Sequence, residues 1–271
     1  MPRRFKDLIK FVCAVISAVV LRLAGKPQPR VVLYYHGVDK VCVDHFRQQM
    51  AYLTRECLVV KPCDICTMSS EGSKTIVAVT FDDAFVSVLT NAVPILREYD
   101  LPAAIFVPTG YIGQSPGWAM APDCPDKNET VMNEQQIAEL DKEGFEILSH
   151  TVTHAKLTDL DDSDLETELN KSKQHLEQIL GHDVSAVSYP HGAYDARIHE
   201  AALKAGYTLG YTISPKVVDH CPDPLCIGRF KVLPHDSLAV FKLKANGAYR
   251  ISKPLMRLKM MFVRTKQGEG K

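Results

Sequence analysis

The sequence lacks several features that mark large classes of protein. Its 32 basic and 32 acidic residues give a formal net charge of zero, so it has no bulk positive charge of the kind that attracts nucleic acids. No apolar run reaches the ~20 residues of a membrane-spanning helix, and there is no internal repeat or low-complexity linker. With 271 residues, 46% of them hydrophobic, the chain can form one large core, and α/β barrels of this length are common.

The cysteines do not form a recognisable framework. Of the eight present, Cys63 and Cys66 make one CxxC pair, and a second pair at zinc-finger spacing is missing. This pattern argues against a four-ligand structural zinc site. Buried thiols, with optional disulfides in an oxidising compartment, are the expectation.

Basic residues are concentrated at the two ends of the chain. Residues 1–30 hold seven basic residues against one acid, and residues 231–271 hold ten against two. Residues 11–21 are apolar apart from Ser17, and this segment is an interfacial amphipathic helix, a signal peptide or short anchor, or a terminal helix packed on the domain. We expect the basic ends to contact an anionic membrane surface. The protein would then be membrane-associated, at the cell envelope or extracellular side, with the cytoplasmic face as the alternative.

Strand-like and helix-like segments alternate between the two ends, which predicts a parallel sheet. Periodicity alone leaves open whether the sheet closes into a barrel. The predicted strands are Val31–Tyr35, Ile76–Phe81, Ala103–Val107, Phe145–Leu148, Ala186–Tyr189 and Thr208–Ile213. The predicted helices are Asp44–Cys57, Val86–Tyr99 with a break at Pro94, Asn133–Glu143, a helix from a capping box of Ser163 and Glu166 to Leu180, and Asp195–Ala205.

Two short motifs of metal-ligand residues follow predicted strands. They are Thr80-Phe81-Asp82-Asp83 and His150-Thr151-Val152-Thr153-His154, and α/β folds place their sites at such strand ends. Histidines at i and i+4 can reach one ion, and one carboxylate added to them makes three ligands with positions left open. The other aspartate could accept a proton from a metal-bound water. Either motif alone is a weak signal, but both would face the same end of one sheet.

The two motifs resemble those of a known family. Residues 77–83 (VAVTFDD) are similar to the first motif of the polysaccharide deacetylases, which share the NodB-homology domain and form carbohydrate esterase family 4. Residues 149–154 (SHTVTH) are similar to the second motif, and residues 188–192 (SYPHG) to the looser third motif. The resemblance extends from about residue 31 to about residue 230. It is nearest to the branch that acts on poly-amino-sugars.

The resemblance implies an α/β fold, a distorted (β/α)7 barrel, and a divalent ion of the Zn2+ type. It implies that Asp82 is the general base and that Asp83, His150 and His154 are the metal ligands. It further implies that the third motif contributes substrate contacts through Tyr189 and the backbone N–H of His191, which would stabilise the oxyanion, and that Thr151 supports the site.

Three positions depart from the family pattern. Ala84 stands where a glycine usually follows the two aspartates, so a slightly altered turn is expected there. Ser188 stands where an arginine usually pairs with the base, and Arg229 is a candidate to supply that charge. The general acid is His36, in a Tyr-His motif typical of the permuted branch, or His235, in a Leu-x-His motif. We favour His36 because it ends a predicted strand.

The resemblance implies a hydrolase that removes N-acetyl groups from the amino sugars of a glycan. Alternatives are deacylation of a lipid-linked sugar or a non-sugar amide, and a catalytically weak glycan-binding module. Residues 31–240 would form the catalytic domain, between an N-terminal segment (residues 1–30) and a basic tail (residues 241–271). Trp118 and Tyr111, in a long loop, could stack on a sugar or anchor the loop.

Overall fold

The structure is a computed structural model, and it describes residues 11–16, 28–69, 73–220 and 223–250. Strands and helices alternate along the chain, as the sequence predicts. The strands are β1 (Arg30–Tyr35), β2 (Cys57–Val59), β3 (Thr75–Phe81), β4 (Ala104–Val107), β5 (Glu146–Ser149), β6 (Ala186–Ser188), β7 (Leu209–Tyr211) and β8 (Phe230–Lys231). The helices are α1 (Val43–Glu56), α2 (Val93–Glu98), α3 (Glu134–Lys142), α4 (Asp162–Leu180), α5 (Ala196–Lys204) and α6 (Leu238–Ala245).

The strands form one sheet in the order β7-β6-β5-β4-β3-β1-β8, with the short β2 paired to the start of β3. Every paired neighbour runs parallel. The segment before β8 joins the two edges, because Ile227 bridges to Tyr211 of β7 while Phe230 pairs with Leu33 of β1. Seven strands therefore curl around one core, and the predicted (β/α)7 architecture is confirmed.

The middle of the sheet is covered on both faces. All seven residues of β3 are buried, which explains why this strand is a continuous β-branched and apolar run with no polar alternation. Tyr35 of β1 stacks on Phe81 of β3 with ring centroids 5.4 Å apart, and Phe46 of α1 packs edge-on against Tyr35 at 5.4 Å. These contacts hold the ends of β1 and β3 together beside the site.

Most helix boundaries follow the local signals in the sequence. Asn133 and Gln136 form a reciprocal capping box at the start of α3, and Asp195 caps α5. A π-helical stretch (Val88–Ala92) precedes α2, which has Pro94 in its first turn, so the predicted break is confirmed. The predicted start of α4 is wrong, because Asp161 accepts the Asp164 N–H two residues before the expected Ser163 cap.

The folded domain extends beyond the predicted boundary at residue 240. Helix α6 crosses that boundary, and Phe241 is fully buried with its ring edge-on to Tyr52 at 6.0 Å. Asn246 then donates to the Tyr52 hydroxyl at 2.9 Å. The predicted basic tail therefore starts too early, because its first two lysines, Lys242 and Lys244, lie on α6, which also has a buried side. Residues 251–271 lie outside the described residues.

Most of the predicted N-terminal segment also lies outside the described residues. Residues 11–16 are helical, with Ala14 buried and Val12 and Ile16 exposed. Among the described residues, no helix has the length and apolar character needed to cross a membrane.

Candidate active site

Parallel strands bring the predicted functional residues to one edge of the barrel. His36 follows β1, Asp82 and Asp83 follow β3, and His150 follows β5. Together they line an open cleft of about 310 Å³. Its other lining residues are Tyr34, Trp118, Ala119, Met120, Ala121, Cys124, Asp126, His154, Tyr189, His191, Ile213 and Lys231.

Three side chains form a candidate metal site at the floor of this cleft. Asp83, His150 and His154 are all buried, and each offers one donor atom within 4.8 Å of the others. Asp83 Oδ1 is 3.5 Å from His150 Nε2 and 3.3 Å from His154 Nε2. Among the described residues no group donates a hydrogen bond to this buried Oδ1. A divalent cation fits such a set, because it would satisfy the orphaned oxygen and bind both imidazoles.

The protonation states of these residues also suit a cation. The Ser188 carbonyl oxygen lies 2.7 Å from His150 Nδ1, so Nδ1 carries the proton and donates it, which leaves the Nε2 lone pair facing Asp83. Burial lowers the pKa of His150 to about 4 and that of His154 to about 2, so both imidazoles are neutral, as metal ligands must be. Burial and the nearby Asp82 charge raise the pKa of Asp83 well above its usual range, a penalty that a bound cation would remove.

The second aspartate is paired with an arginine. Arg229 Nη1 and Nη2 donate to the two carboxylate oxygens of Asp82 at 2.7 and 2.8 Å, and the guanidinium is fully buried. Arg229 Nη2 also donates to Ser188 Oγ at 2.7 Å. Burial by itself raises the pKa of Asp82, but the charge and hydrogen bonds of Arg229, together with the nearby His150 and His36, outweigh it and hold that pKa below its usual range. The predicted replacement of the family arginine by Arg229 is confirmed.

Strained backbone is concentrated at the site. Of the six described non-glycine residues with positive φ, five lie here, and Asp100 is the exception; the five are Asp83, Ala84, Thr151, His154 and His191. Ala84 has a φ of 51°. The turn that usually carries a glycine is therefore kept, although alanine is strained in this left-handed backbone conformation. Such positions cost about 1–3 kcal/mol each and persist only where the surroundings hold them.

Of the two candidate acids, only His36 reaches the cleft. Its Nε2 lies 3.9 Å from Asp83 Oδ2, and its side chain is 27% exposed. His235 is exposed in the turn after β8, where the Asp236 N–H donates to the Leu233 carbonyl, and it does not line the cleft.

The residues predicted to contact the substrate differ in how exposed they are to the cleft. His191 is exposed at the cleft with its ring 4.9 Å from that of His154. Tyr189 has a fully buried side chain whose hydroxyl donates to the Leu225 carbonyl at 3.1 Å, so only its backbone is left for a substrate. Thr151 is also fully buried and does not line the cleft, so its side chain is not placed to contact a substrate.

Aromatic residues cover one side of the metal site. Trp118 stacks on the His154 ring at 4.5 Å and on Phe85 at 6.3 Å, while Tyr111 packs edge-on against Trp118 at 5.1 Å. These contacts favour the loop-anchor interpretation of both aromatic residues. Sequence reasoning missed Asp126 and Lys231 in the cleft, because a four-residue 3-10 helix and a two-residue strand are too short to carry a periodic signal.

The chain is similar in sequence to known deacetylases. A family model described as polysaccharide deacetylase matches residues 69–210. The YxkH protein of Bacillus subtilis (strain 168), named for the same family, is 28% identical over 233 residues, which cover 83% of this chain and 77% of that protein. The poly-β-1,6-N-acetyl-D-glucosamine N-deacetylase of Staphylococcus aureus (strain N315) is 26% identical over 154 residues, 54% of this chain and 50% of that enzyme.

Solved structures show the same fold. The Streptococcus pyogenes deacetylase PplD, solved with acetate, superposes with a TM-score of 0.68 at 24% identity, over 81% of this chain and 99% of that one. IcaB from Ammonifex degensii gives 0.66 at 22% identity, over 82% and 97% of the two chains. Since the family model covers more than half of the sequence, this chain belongs to the polysaccharide deacetylases, the hydrolases of carbohydrate esterase family 4.

Proposed function

We propose that this protein is a metal-dependent hydrolase that removes N-acetyl groups from the amino sugars of a polysaccharide or glycoconjugate. One observation carries the proposal: an arginine-paired carboxylate, Asp82, lies next to a buried group of one carboxylate and two neutral imidazoles in an open cleft. The Staphylococcus aureus relative is named for N-deacetylation of a glucosamine polymer, which supports this substrate class.

Asp83, His150 and His154 would hold the cation. Two imidazoles and one carboxylate form a three-ligand set that leaves positions open, which is typical of catalytic Zn2+. When bound, such a cation polarises the acyl carbonyl and lowers the pKa of a water to about 7. Asp83 is the ligand rather than Asp82 because Asp83 Oδ1 faces both imidazoles, whereas both oxygens of Asp82 face Arg229.

Asp82 would act as the general base. Arg229 keeps this carboxylate ionised and fixes its orientation, so it can accept the proton that leaves the attacking water. The water oxygen bonds to the acyl carbon, and the backbone N–H of His191 would donate to the resulting oxyanion.

His36 would act as the general acid, from the end of the neighbouring parallel strand β1. The C–N bond breaks as His36 donates a proton to the departing nitrogen, which leaves a free amine on the sugar and acetate as the second product. The position of His36 in the cleft, 3.9 Å from Asp83 Oδ2, supports this role.

We further propose that the basic ends contact an anionic membrane surface, at the cell envelope. The excess of basic residues in residues 1–30 and the exposed Val12, Val15 and Ile16 support this contact. Co-sedimentation of the full chain with vesicles tests it: binding to phosphatidylglycerol vesicles and not to phosphatidylcholine vesicles is expected. Equal recovery with both lipids contradicts it.

The substrate is tested by acetate release across a panel of amides. N-acetylated β-1,6-glucosamine oligomers, lipid-linked N-acetyl sugars and a simple acetamide should be compared, with the Asp82→Asn protein as the blank. Release from glucosamine oligomers well above that from the simple acetamide is expected. Equal release from all three would contradict a glycan-specific enzyme.

A further inference from the structure

Both histidine ligands lie on one short segment, residues 150–154, which we call the ligand loop. Thr151 and His154 within it have φ angles of 65° and 57°. Non-glycine residues cost about 1–3 kcal/mol each in this region, so the loop keeps its shape only if other groups hold it. The relative position of the two imidazoles therefore depends on what anchors the residues between them.

One buried carboxylate makes that anchor. Glu168 on α4 is 7% exposed. Its Oε2 accepts the backbone N–H groups of Val152 and Thr153 at 2.8 and 2.9 Å, and its Oε1 accepts the Thr153 hydroxyl at 2.6 Å. Three hydrogen bonds thus run from one side chain to the residues that lie between the two histidines.

The rest of the ligand loop is held at other points. One turn after Glu168 on α4, Ser172 Oγ lies 2.8 Å from Ser149 Oγ, which accepts the Thr151 N–H at 3.2 Å. From the opposite side, the Gly110 N–H donates to the Val152 carbonyl at 2.8 Å. A Cβ at Gly110 would lie 2.8 Å from that same oxygen, so only glycine permits this approach. Glu168 is the group that accepts from the amides of Val152 and Thr153.

We propose that Glu168 is a positioning residue for the metal site, which sets the geometry of His150 and His154 before a cation binds. This inference rests on the proposed function, in which those two histidines are ligands. A ligand loop freed from Glu168 would have to be ordered by the cation itself, and that ordering would weaken the observed affinity. Groups that support metal ligands in this way typically contribute about 10–100-fold to metal affinity.

A merely structural anchor predicts something different. It would lower the melting temperature of the protein when removed, but would leave the dissociation constant for the metal unchanged. Zn2+ affinity, measured separately from stability, distinguishes the two roles.

Two substitutions of Glu168 and one matched control make the test. Glu168→Ala removes all three hydrogen bonds. Glu168→Gln keeps them, because its amide oxygen can accept from both backbone N–H groups while its NH2 donates to the Thr153 hydroxyl. Glu177→Ala is the control: Glu177 is also on α4 and also accepts a loop N–H, that of Val184 at 3.1 Å, but remote from the ligand loop.

The measurements are calorimetric titration of the metal-free full chain with Zn2+ and its melting temperature. We expect Glu168→Ala to bind Zn2+ about 10–100-fold more weakly and Glu168→Gln to bind it nearly as the wild type does. Glu177→Ala should melt earlier with unchanged affinity. Hydrogen exchange of the Val152 and Thr153 amides in the metal-free chain should be faster in Glu168→Ala alone.

Wild-type Zn2+ affinity in Glu168→Ala would overturn the inference, as would an equal loss in Glu168→Gln. If Glu168→Ala does not fold, Glu168→Asp gives the same test, because its shorter side chain cannot reach both N–H groups. Failure of the wild-type chain to bind any divalent cation would instead overturn the proposed function, and with it the role of Glu168.

Discussion

Arg229 reaches from the segment that joins the two edges of the sheet to make a paired hydrogen bond with Asp82 at the end of β3, at 2.7 and 2.8 Å. The two residues are 147 positions apart in the chain. The guanidinium lies 4.6 Å from the ring centre of Tyr34 and donates from Nε to the Thr212 carbonyl at 3.1 Å. The segment that closes the barrel therefore also supplies the guanidinium that keeps the proposed base, Asp82, ionised.

The first prediction concerns this pair. Arg229→Lys keeps a positive charge but loses the paired geometry, so burial should raise the pKa of Asp82. Since the base must be ionised, the acidic limb of the kcat/KM profile should move to higher pH, by about one unit per 1.4 kcal/mol of interaction lost. Rates measured across the pH range test this.

The same pair also stabilises the fold, and the direction in which this contribution changes with pH follows from the pKa of Asp82. The pKa of Asp82 is lowered on folding, so its contribution is present above the unfolded-state pKa, about 3.9, and is lost as pH falls toward the folded-state value. Arg229→Lys should reduce stability at neutral pH and flatten its fall in acid. An unchanged kcat/KM profile together with an unchanged stability curve would contradict the role of Arg229.

The second prediction separates the two aspartates. Asp82→Asn should bind Zn2+ with nearly wild-type affinity but lose turnover by about 10²–10⁴-fold, because only proton transfer is removed. Asp83→Asn should weaken Zn2+ binding, because Asp83 Oδ1 faces both imidazoles. Titration calorimetry on both proteins decides the assignment, and the opposite pattern of affinities would reverse it.

The third prediction concerns the general acid. His36→Ala should slow amide hydrolysis by about 10²–10⁴-fold, because an amine leaves only when protonated. It should slow hydrolysis of an activated aryl ester much less, since that leaving group needs no proton. His235→Ala is the control, because His235 is exposed outside the cleft. A large amide-specific loss in His235→Ala, with none in His36→Ala, would assign the acid to the Leu-x-His motif.

The fourth prediction concerns the left-handed alanine. Ala84 is fully buried at a φ of 51°, so Ala84→Val adds both a β-branched clash and excess volume. We expect a loss of about 1–3 kcal/mol in the free energy of unfolding and weaker Zn2+ binding through the adjacent Asp83. Ala84→Gly should fold well, because glycine adopts this conformation freely. Urea titration of both variants provides the check, and equal stability of Ala84→Val and wild type would contradict it.

Local sequence patterns predict much of this fold. The strands before Asp82 and His150 are apolar and β-branched, and Asn133 and Asp195 are N-cap residues that predict the starts of their helices. These elements were predictable because each signal lies within a few residues of the chain. The start of α4 was predicted wrongly because Asp161 and Ser163 are both suitable N-cap residues and lie only two positions apart. Strands β2 and β8 have three and two residues, too few for any periodicity.

The candidate site was predictable only in part. Asp83, His150 and His154 come from two compact motifs, so their grouping follows once both motifs end strands of one sheet. The pairing of Arg229 with Asp82 was suggested by the missing family arginine, but its geometry depends on how β7 and β1 are joined. No local sequence pattern indicated a role for Glu168. A carboxylate on an amphipathic helix is expected to face solvent, and its contacts with the ligand loop depend on how α4 packs against that loop.

Metal-dependent acetate release from an N-acetylated β-1,6-glucosamine oligomer is the decisive measurement for the proposed hydrolase. The protein should be exhaustively chelated, then titrated with Zn2+, with His154→Ala treated in parallel. We expect negligible release from the chelated protein, a rise that saturates near one ion per chain, and no comparable recovery in His154→Ala. Full activity in the chelated protein, or in chelated His154→Ala, would contradict it.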